Sequence, residues 1–169
     1  LAETISVVYH EQFGVPVKIV RPFNVYGPGM NAKDYRVMPT FAAKAFHNEI
    51  LPVHGNGKQT RTYCYITDAI TGFMKVLLLG KPGEAYNIGN DTPEINVLQL
   101  AQIYQEIIPQ VRFSTIDYPA NYPGGEPQRR CPDLAKSKKE LGYSTSISLS
   151  EGTKRFLLWA KEHPDYNNV

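Results

Sequence analysis

The stretch from Val17 to Gly29, Val-Lys-Ile-Val-Arg-Pro-Phe-Asn-Val-Tyr-Gly-Pro-Gly, constrains the fold more than any other part of the chain. Its β-branched start suits a pleated, packed surface, and Pro22 ends it, because proline has no N–H to give a central ladder. The segment reads as a strand that breaks into a loop carrying Arg21, Asn24, Tyr26, two glycines and two prolines. In open α/β sheets the carboxyl edge of the strands is where ligands bind, since loops there vary without disturbing the buried sheet. Asn24 and its neighbours are therefore the first candidate site.

Around this strand the chain alternates. Leu1, Ile5, Val8, Tyr9 and Phe13 recur at helical spacing, with Gly14 in the position of a C-terminal cap. Sequence upstream of Leu1 is expected, since the chain opens inside this helix without a capping residue. A helix from about Met38 to Asn48 follows, then an extended segment at Leu51–His54. Gly55-Asn-Gly-Lys58 is turn chemistry and predicts a reversal into Gln59–Ile66 as an extended pair. Thr67-Asp68 is read as the cap of a helix to Gly80 with Ile70, Phe73, Met74, Leu77 and Leu78 on its apolar face. Ala85–Ile88 is a short strand, and Asn96 with Gln99 forms a capping box before a helix to about Ile108. Val111–Ile116 is another strand, and Asp117–Pro132 carries four prolines and is read as an irregular loop. Asp133 caps a helix to Leu141, and Ser148-x-x-Glu151 opens the last one. Such alternation predicts α/β layering.

Composition narrows the function classes. At 169 residues with 42% apolar and 20% charged residues, the chain reads as one ordinary globular domain. No run of about 18 apolar residues predicts a membrane helix, and a net charge of +2 makes no case for nucleic acid. Lys136, Lys138 and Lys139 read as a solvated helix face. Cys64 and Cys131 stand far apart with no ligand spacing, so neither a disulfide framework nor a metal site is expected, and a reducing, cytoplasmic setting follows.

Arginines dominate the polar loops: Arg21, Arg36, Arg61 and the pair Arg129-Arg130. Guanidinium groups recognise phosphate bidentately, so arginines converging from several loops suit a phosphate or diphosphate ligand, and each is otherwise an ordinary surface or salt-bridge residue. Asn24 can bind a substrate or hold its own loop through an Asx turn. Gly27 and Gly29 read as turn glycines. His54 can stack or titrate in a site, or simply end a strand. Asp68 is read as a cap, with general base the alternative, and Tyr63 and Tyr65 as packing. No Ser-His-Asp, Cys-His or paired-carboxylate centre stands out.

Taken together, these segments resemble the extended short-chain dehydrogenase/reductases that modify nucleotide sugars. The resemblance is carried by Arg21-Pro-Phe-Asn-Val-Tyr-Gly-Pro28, Arg36-Val37, Leu51-Pro-Val-His-Gly-Asn-Gly-Lys-Gln-Thr-Arg61, Tyr65-Ile-Thr-Asp68, Tyr86-Asn-Ile-Gly-Asn90, Arg129-Arg-Cys-Pro-Asp133 and Lys139-Glu-Leu-Gly-Tyr143, in the family's order. Within it, Gly29-Met-Asn-x-x-Asp-x-Arg-Val37 and Gln59-Thr-Arg-x-x-x-Tyr65 look like the UDP-glucuronate decarboxylases. The resemblance implies the C-terminal part of an extended Rossmann-type fold. Residues 1–29 would be the last helix and strand of the NAD-binding domain, and 30–169 mainly a small α/β substrate-binding region. It implies that Asn24 contacts the sugar diphosphate, that Arg61 and Arg130 bind the diphosphate, and that Arg36 lies near phosphate and the reacting end of the sugar. His54 would stand where members stack an aromatic on the base. Pro22, Phe23 and Val25 would border the nicotinamide of NAD. The family's Gly-rich NAD turn and its Tyr-x-x-x-Lys pair are expected upstream of Leu1, leaving no catalytic residue in this chain. Inactivity of the chain alone, a UDP-sugar ligand, a homodimer at full length through a helix pair that includes the first helix, and exposed apolar surface where a missing sheet would pack are implied as well.

Overall fold

The computed structural model of the protein describes residues 1–119 and 127–167. Its elements are α1 (Ala2–Phe13), β1 (Ile19–Pro22), β2 (Val25–Tyr26), α2 (Val37–Phe46), β3 (Ile50–His54), β4 (Thr60–Arg61), β5 (Cys64–Tyr65), α3 (Ile66–Leu79) and β6 (Ala85–Ile88). They continue with β7 (Ile95–Asn96), α4 (Val97–Ile107), β8 (Arg112–Ile116), β9 (Arg129–Arg130), α5 (Ala135–Leu141), α6 (Leu149–Glu162) and α7 (Pro164–Asn167). The chain divides into two compact units interleaved in sequence, residues 1–25, 62–93 and 131–147 in the first and 26–61, 94–130 and 148–169 in the second.

The first unit is built on β1 and β6, which pair in parallel from Ile19 opposite Ala85 to Pro22 opposite Ile88. The strand thus runs through Pro22, two residues beyond the apolar run. Proline is accommodated because it occupies the last position, and Phe23 N–H takes up the ladder to the Ile88 carbonyl at 2.8 Å. Val76, Tyr86, Ile88, Leu134, Leu141 and Tyr143 form the core, with Val20 and Phe73 packed against it.

Helix α3 carries the expected apolar residues, of which Phe73 packs against that core while the others do not. Ile70, Met74, Leu77 and Leu78 are exposed, at 50%, 48%, 61% and 69%. The buried stripe is instead Asp68, Ala69, Gly72 and Val76. Small side chains explain the choice. A Cβ on Gly72 would lie 2.5 Å from Ile88 Cγ2 and 2.8 Å from Tyr143 Cε2, so the helix packs most closely where it carries least. Helix α1 forms as expected and ends at Gly14 in the left-handed region, yet none of its residues is buried.

Asp68 is not the cap of α3, which begins at Ile66 without a side-chain cap. Its buried carboxylate accepts hydrogen bonds from Ser146 N (3.1 Å), Ser146 Oγ (2.8 Å) and Ile147 N (3.0 Å). Asp133 sits one residue before the cap position of α5, and its Oδ1 accepts from Ala135 N at 2.8 Å. Lys136 and Lys138 are not merely solvated: they pair with Glu84 and Asp91.

In the second unit β3 pairs in parallel with β8, from Ile50 opposite Arg112 to His54 opposite Ile116. The turn after His54 does not close a hairpin, because β4 pairs with β7 and β9 instead. Leu51 and Val53 of β3 are fully buried, as suits a parallel strand covered by helices. Phe41 and Tyr104 meet edge to face at 5.4 Å, and Phe156 meets Tyr26 and Tyr166 likewise at 6.4 and 6.0 Å. The Asn96–Gln99 capping box is complete, while Ser148 supplies one half of its box by accepting from Glu151 N.

Candidate functional site

Two of the predicted phosphate ligands are brought together by sheet register. β9 runs parallel to β4 with Thr60 opposite Arg129 and Arg61 opposite Arg130. In-register residues of adjacent strands point to the same face, so Arg61 and Arg130 share one side and Thr60 and Arg129 the other. The second face is closed by Glu94. It accepts from Thr60 Oγ1 at 2.5 Å and from Arg129 Nε and Nη2 at 2.9 and 2.8 Å. These bonds, that from Arg129 foremost, hold the Glu94 carboxyl below the usual carboxylate range. Arg129 is thereby a structural arginine that ties β9 down, and Glu94 is a residue sequence reasoning missed.

The first face is different. Arg61 is buried, with Nη1 donating to the Thr60 carbonyl at 2.8 Å, and Arg130 beside it is exposed. Gln59 is buried on the same alternation as Arg61, with half-buried Thr60 between them. His54, ending β3, stacks on Tyr118 with ring centroids 5.7 Å apart and 26° between planes. Gln59 Nε2 donates to both the His54 carbonyl and the Tyr118 hydroxyl at 3.4 Å.

Arg36 stands at the N-cap of α2, joined to Asp34 through its backbone N–H (2.9 Å) and through Nε (2.8 Å) and Nη2 (2.5 Å). That bond holds Asp34 below its usual range. Burial pushes the nearby Tyr166 hydroxyl up to about 12, and it donates to the Met30 carbonyl at 3.0 Å.

In the first unit Asn24 adopts a left-handed φ of 45°, which asparagine tolerates better than most residues. No Asx turn holds it. Its Nδ2 donates to the Thr62 carbonyl at 2.8 Å and its own carbonyl accepts from Cys64 N at 3.1 Å, so the loop after β1 is tied to the segment entering β5. Phe23 lies against Gly89, whose Cβ would come within 2.9 Å of it. Pro22, Phe23 and Val25 therefore sit at the carboxyl end of the parallel pair β1–β6. Arg21 is neutralised by Glu3, with Nε to Oε1 at 2.8 Å. Burial pushes the Cys64 thiol up to about 11 and raises Tyr143, whose hydroxyl donates to the Gly89 carbonyl at 2.8 Å. Neither is a poised nucleophile or base. Among the described residues no cluster of three or more His, Cys, Asp or Glu could hold a metal ion.

Comparison with known proteins adds an independent line. Residues 1–89 match the NAD dependent epimerase/dehydratase family. UDP-glucuronic acid decarboxylase 6 of Arabidopsis thaliana is 39% identical over 153 residues, 90% of this chain and 43% of that protein. The dTDP-D-glucose 4,6-dehydratase of Homo sapiens is 35% identical over 96% of this chain and 46% of its own length. Among solved structures, the UDP-glucuronic acid 4-epimerase from Bacillus cereus, in complex with UDP-glucuronic acid and NAD, superposes with a TM-score of 0.84 at 28% identity. That match covers 95% of this chain and 50% of the epimerase. The chain thus spans about half the length, or less, of the relatives it matches.

Proposed function

The chain belongs to the NAD dependent epimerase/dehydratase family, and on that premise we propose that it is the substrate-binding portion of a longer enzyme that decarboxylates UDP-glucuronate through a 4-keto intermediate. The α/β fold with parallel strand pairs is that of the Rossmann-type epimerases and dehydratases. The observation that carries the reading is the Arg61–Arg130 pair, two arginines in register on the adjacent strands β4 and β9, suited to a diphosphate. The 39% identity to a UDP-glucuronic acid decarboxylase favours that reaction.

NAD is the cofactor of this family, and when bound it would accept and return a hydride at the hexose C4. This chain's part is positional. α1 and β1, within residues 1–29, contribute the last helix and strand of the dinucleotide domain, and the carboxyl end of β1 fits the place where open sheets receive a nicotinamide. Pro22, Phe23 and Val25 would border it. Asn24, His54, Arg36, Arg61 and Arg130 serve the nucleotide sugar, and binding energy at its non-reacting end keeps the sugar in register with the cofactor. With no Tyr-x-x-x-Lys pair and no Gly-rich NAD turn in these residues, the 169-residue chain alone is expected to turn over no nucleotide sugar. No helix among the described residues is long and apolar enough to cross a membrane. Exposed Ile5, Tyr9 and Phe13 on α1 support pairing of two copies in the full-length enzyme.

An NMR time course of the full-length protein with UDP-glucuronate and NAD tests the reading. A UDP-pentose with release of CO2 is expected. Inversion at C4 alone would replace it with a 4-epimerase, and turnover of dTDP-glucose but not UDP-glucuronate with a 4,6-dehydratase, the activity of a relative 35% identical. Binding without turnover of any nucleotide sugar would leave a binding module. Arg130→Ala is expected to weaken UDP binding by about 2–3 kcal/mol, the scale of a charge-assisted contact.

A further inference from the structure

We infer that Tyr166 is a positioning residue of the nucleotide-sugar site: its hydroxyl, carried on α7, fixes the loop that presents Arg36. This rests on the reading of Arg36 as a substrate ligand and deepens it. The loop between β2 and α2 is mostly exposed, and Gly27 and Gly29 bend it through positive φ values of 148° and 92°. Its own backbone bonds are sparse, with Met30 N–H donating to the Gly27 carbonyl at 3.4 Å and Asp34 N–H to the Asn31 carbonyl at 3.0 Å. What holds it comes from elsewhere in the second unit, through two tyrosine hydroxyls. Tyr26, buried where the loop leaves β2, donates to the Leu149 carbonyl of α6 at 3.2 Å. Tyr166, fully buried, donates to the Met30 carbonyl at 3.0 Å from 136 residues away in sequence.

The tyrosine has a fixed seat and the arginine a fixed aim. The Tyr166 ring meets Phe156 edge to face at 6.0 Å and Trp159 likewise at 5.8 Å, so packing sets where the hydroxyl lies. Burial, and then the Asp34 carboxylate, pushes that hydroxyl up to about 12, and it stays a donor at neutral pH. At the far end of the loop the Asp34 carboxylate accepts from Arg36 N, Nε and Nη2, while the Asp34 carbonyl accepts from Thr40 Oγ1 of α2 at 3.3 Å. Among the described residues these bonds leave Arg36 Nη1 uncommitted, and the side chain is 58% exposed. Tyr166 thus pins the middle of the loop and Asp34 aims its last residue. A guanidinium set in advance binds an anionic group without first ordering its loop, which raises affinity. Removing the hydroxyl keeps the ring in its seat but frees Met30, and the cost falls on Arg36.

A double-mutant cycle on the full-length protein, read as UDP-glucuronate affinity by calorimetry, tests this. Tyr166→Phe is expected to lower affinity about fivefold, the scale of one net hydrogen bond. Arg36→Ala should lower it further than that. In the Arg36→Ala background Tyr166→Phe should cost nothing more, because the hydroxyl acts through Arg36. An undiminished fivefold loss in that background would overturn the proposal and make Tyr166 a support of the whole unit. Wild-type affinity in Tyr166→Phe would overturn it as well. If Arg36→Ala left affinity unmoved, the proposal would fall while the nucleotide-sugar reading stood on wild-type binding. A wild-type protein that binds neither UDP-glucuronate nor UDP would bring down that reading itself.

Discussion

Helices α3 and α4 look alike in sequence and end differently in the fold. Each carries an apolar stripe at helical spacing. In α4, within the second unit, the stripe is buried as Val97, Leu100, Ala101 and Tyr104. In α3, within the first unit, Ile70, Met74, Leu77 and Leu78 face outward while Ala69, Gly72 and Val76 pack inward. Periodicity locates an apolar stripe but does not say that the same chain covers it. α1 teaches the same lesson more strongly, with Leu1, Ile5, Val8, Tyr9 and Phe13 all exposed.

The largest expected effect breaks or keeps that contrast. Tyr104 is fully buried, meets Phe41 edge to face, and donates to the Met38 carbonyl at 2.9 Å. Tyr104→Ala should destabilise the chain by about 3–5 kcal/mol, as other large-to-small aromatic truncations do. Leu78→Ala should stay within about 0.5 kcal/mol. Denaturant titration of both variants measures the difference, and comparable losses would mean that the α3 face is covered after all.

A smaller effect separates two roles for one carboxylate. If Asp68 acted as a helix cap, Thr67 and Asp68 would be near-equivalent neighbours. Because its carboxylate instead receives two backbone N–H groups and a hydroxyl from Ser146 and Ile147, Asp68→Ala should cost about 2–3 kcal/mol by leaving those donors unsatisfied. Thr67→Ala should be close to neutral. Equal losses at the two positions would restore the cap.

What could be read from the sequence was local chemistry. The Asn96–Gln99 capping box, the Gly14 helix stop and the strand at Ala85–Ile88 all form, since each is decided within a few residues. The family was readable too, because seven segments stand in the family's order along the chain. Pairings of distant segments were not readable. Nothing near Gly55 says that β3 takes β8 as its partner, or that β4 lies between β7 and β9. Arg129 and Arg130 are adjacent and chemically identical. Only β9 alternation sends one to Glu94 and sets the other beside Arg61. Glu94 gave no signal of its own.

The smallest effect concerns two carboxylates, one in each unit. Glu94 is held below the ordinary range by Arg129 and then Thr60, and Glu140 by the Tyr86 hydroxyl and then Lys81. A carboxyl lowered in the folded state stabilises that state above its unfolded pKa, and the contribution is lost as pH falls through the folded value. In this window the unfolded chain binds more protons, so stability rises with pH. Glu94→Gln and Glu140→Gln should each flatten part of the acid limb below about pH 4.3, the ordinary glutamate value. Their consequences for binding should differ. Protonating Glu94 releases Arg129 and loosens the two-residue strand that carries Arg130, whereas Glu140 secures only the Tyr86 side of the first unit. The ratio of wild-type to variant UDP affinity, taken at each pH so that titration of the ligand cancels, should therefore fall on acidification for Glu94→Gln and stay level for Glu140→Gln. Level ratios for both would mean that Arg130 holds its place without the clamp on the opposite sheet face.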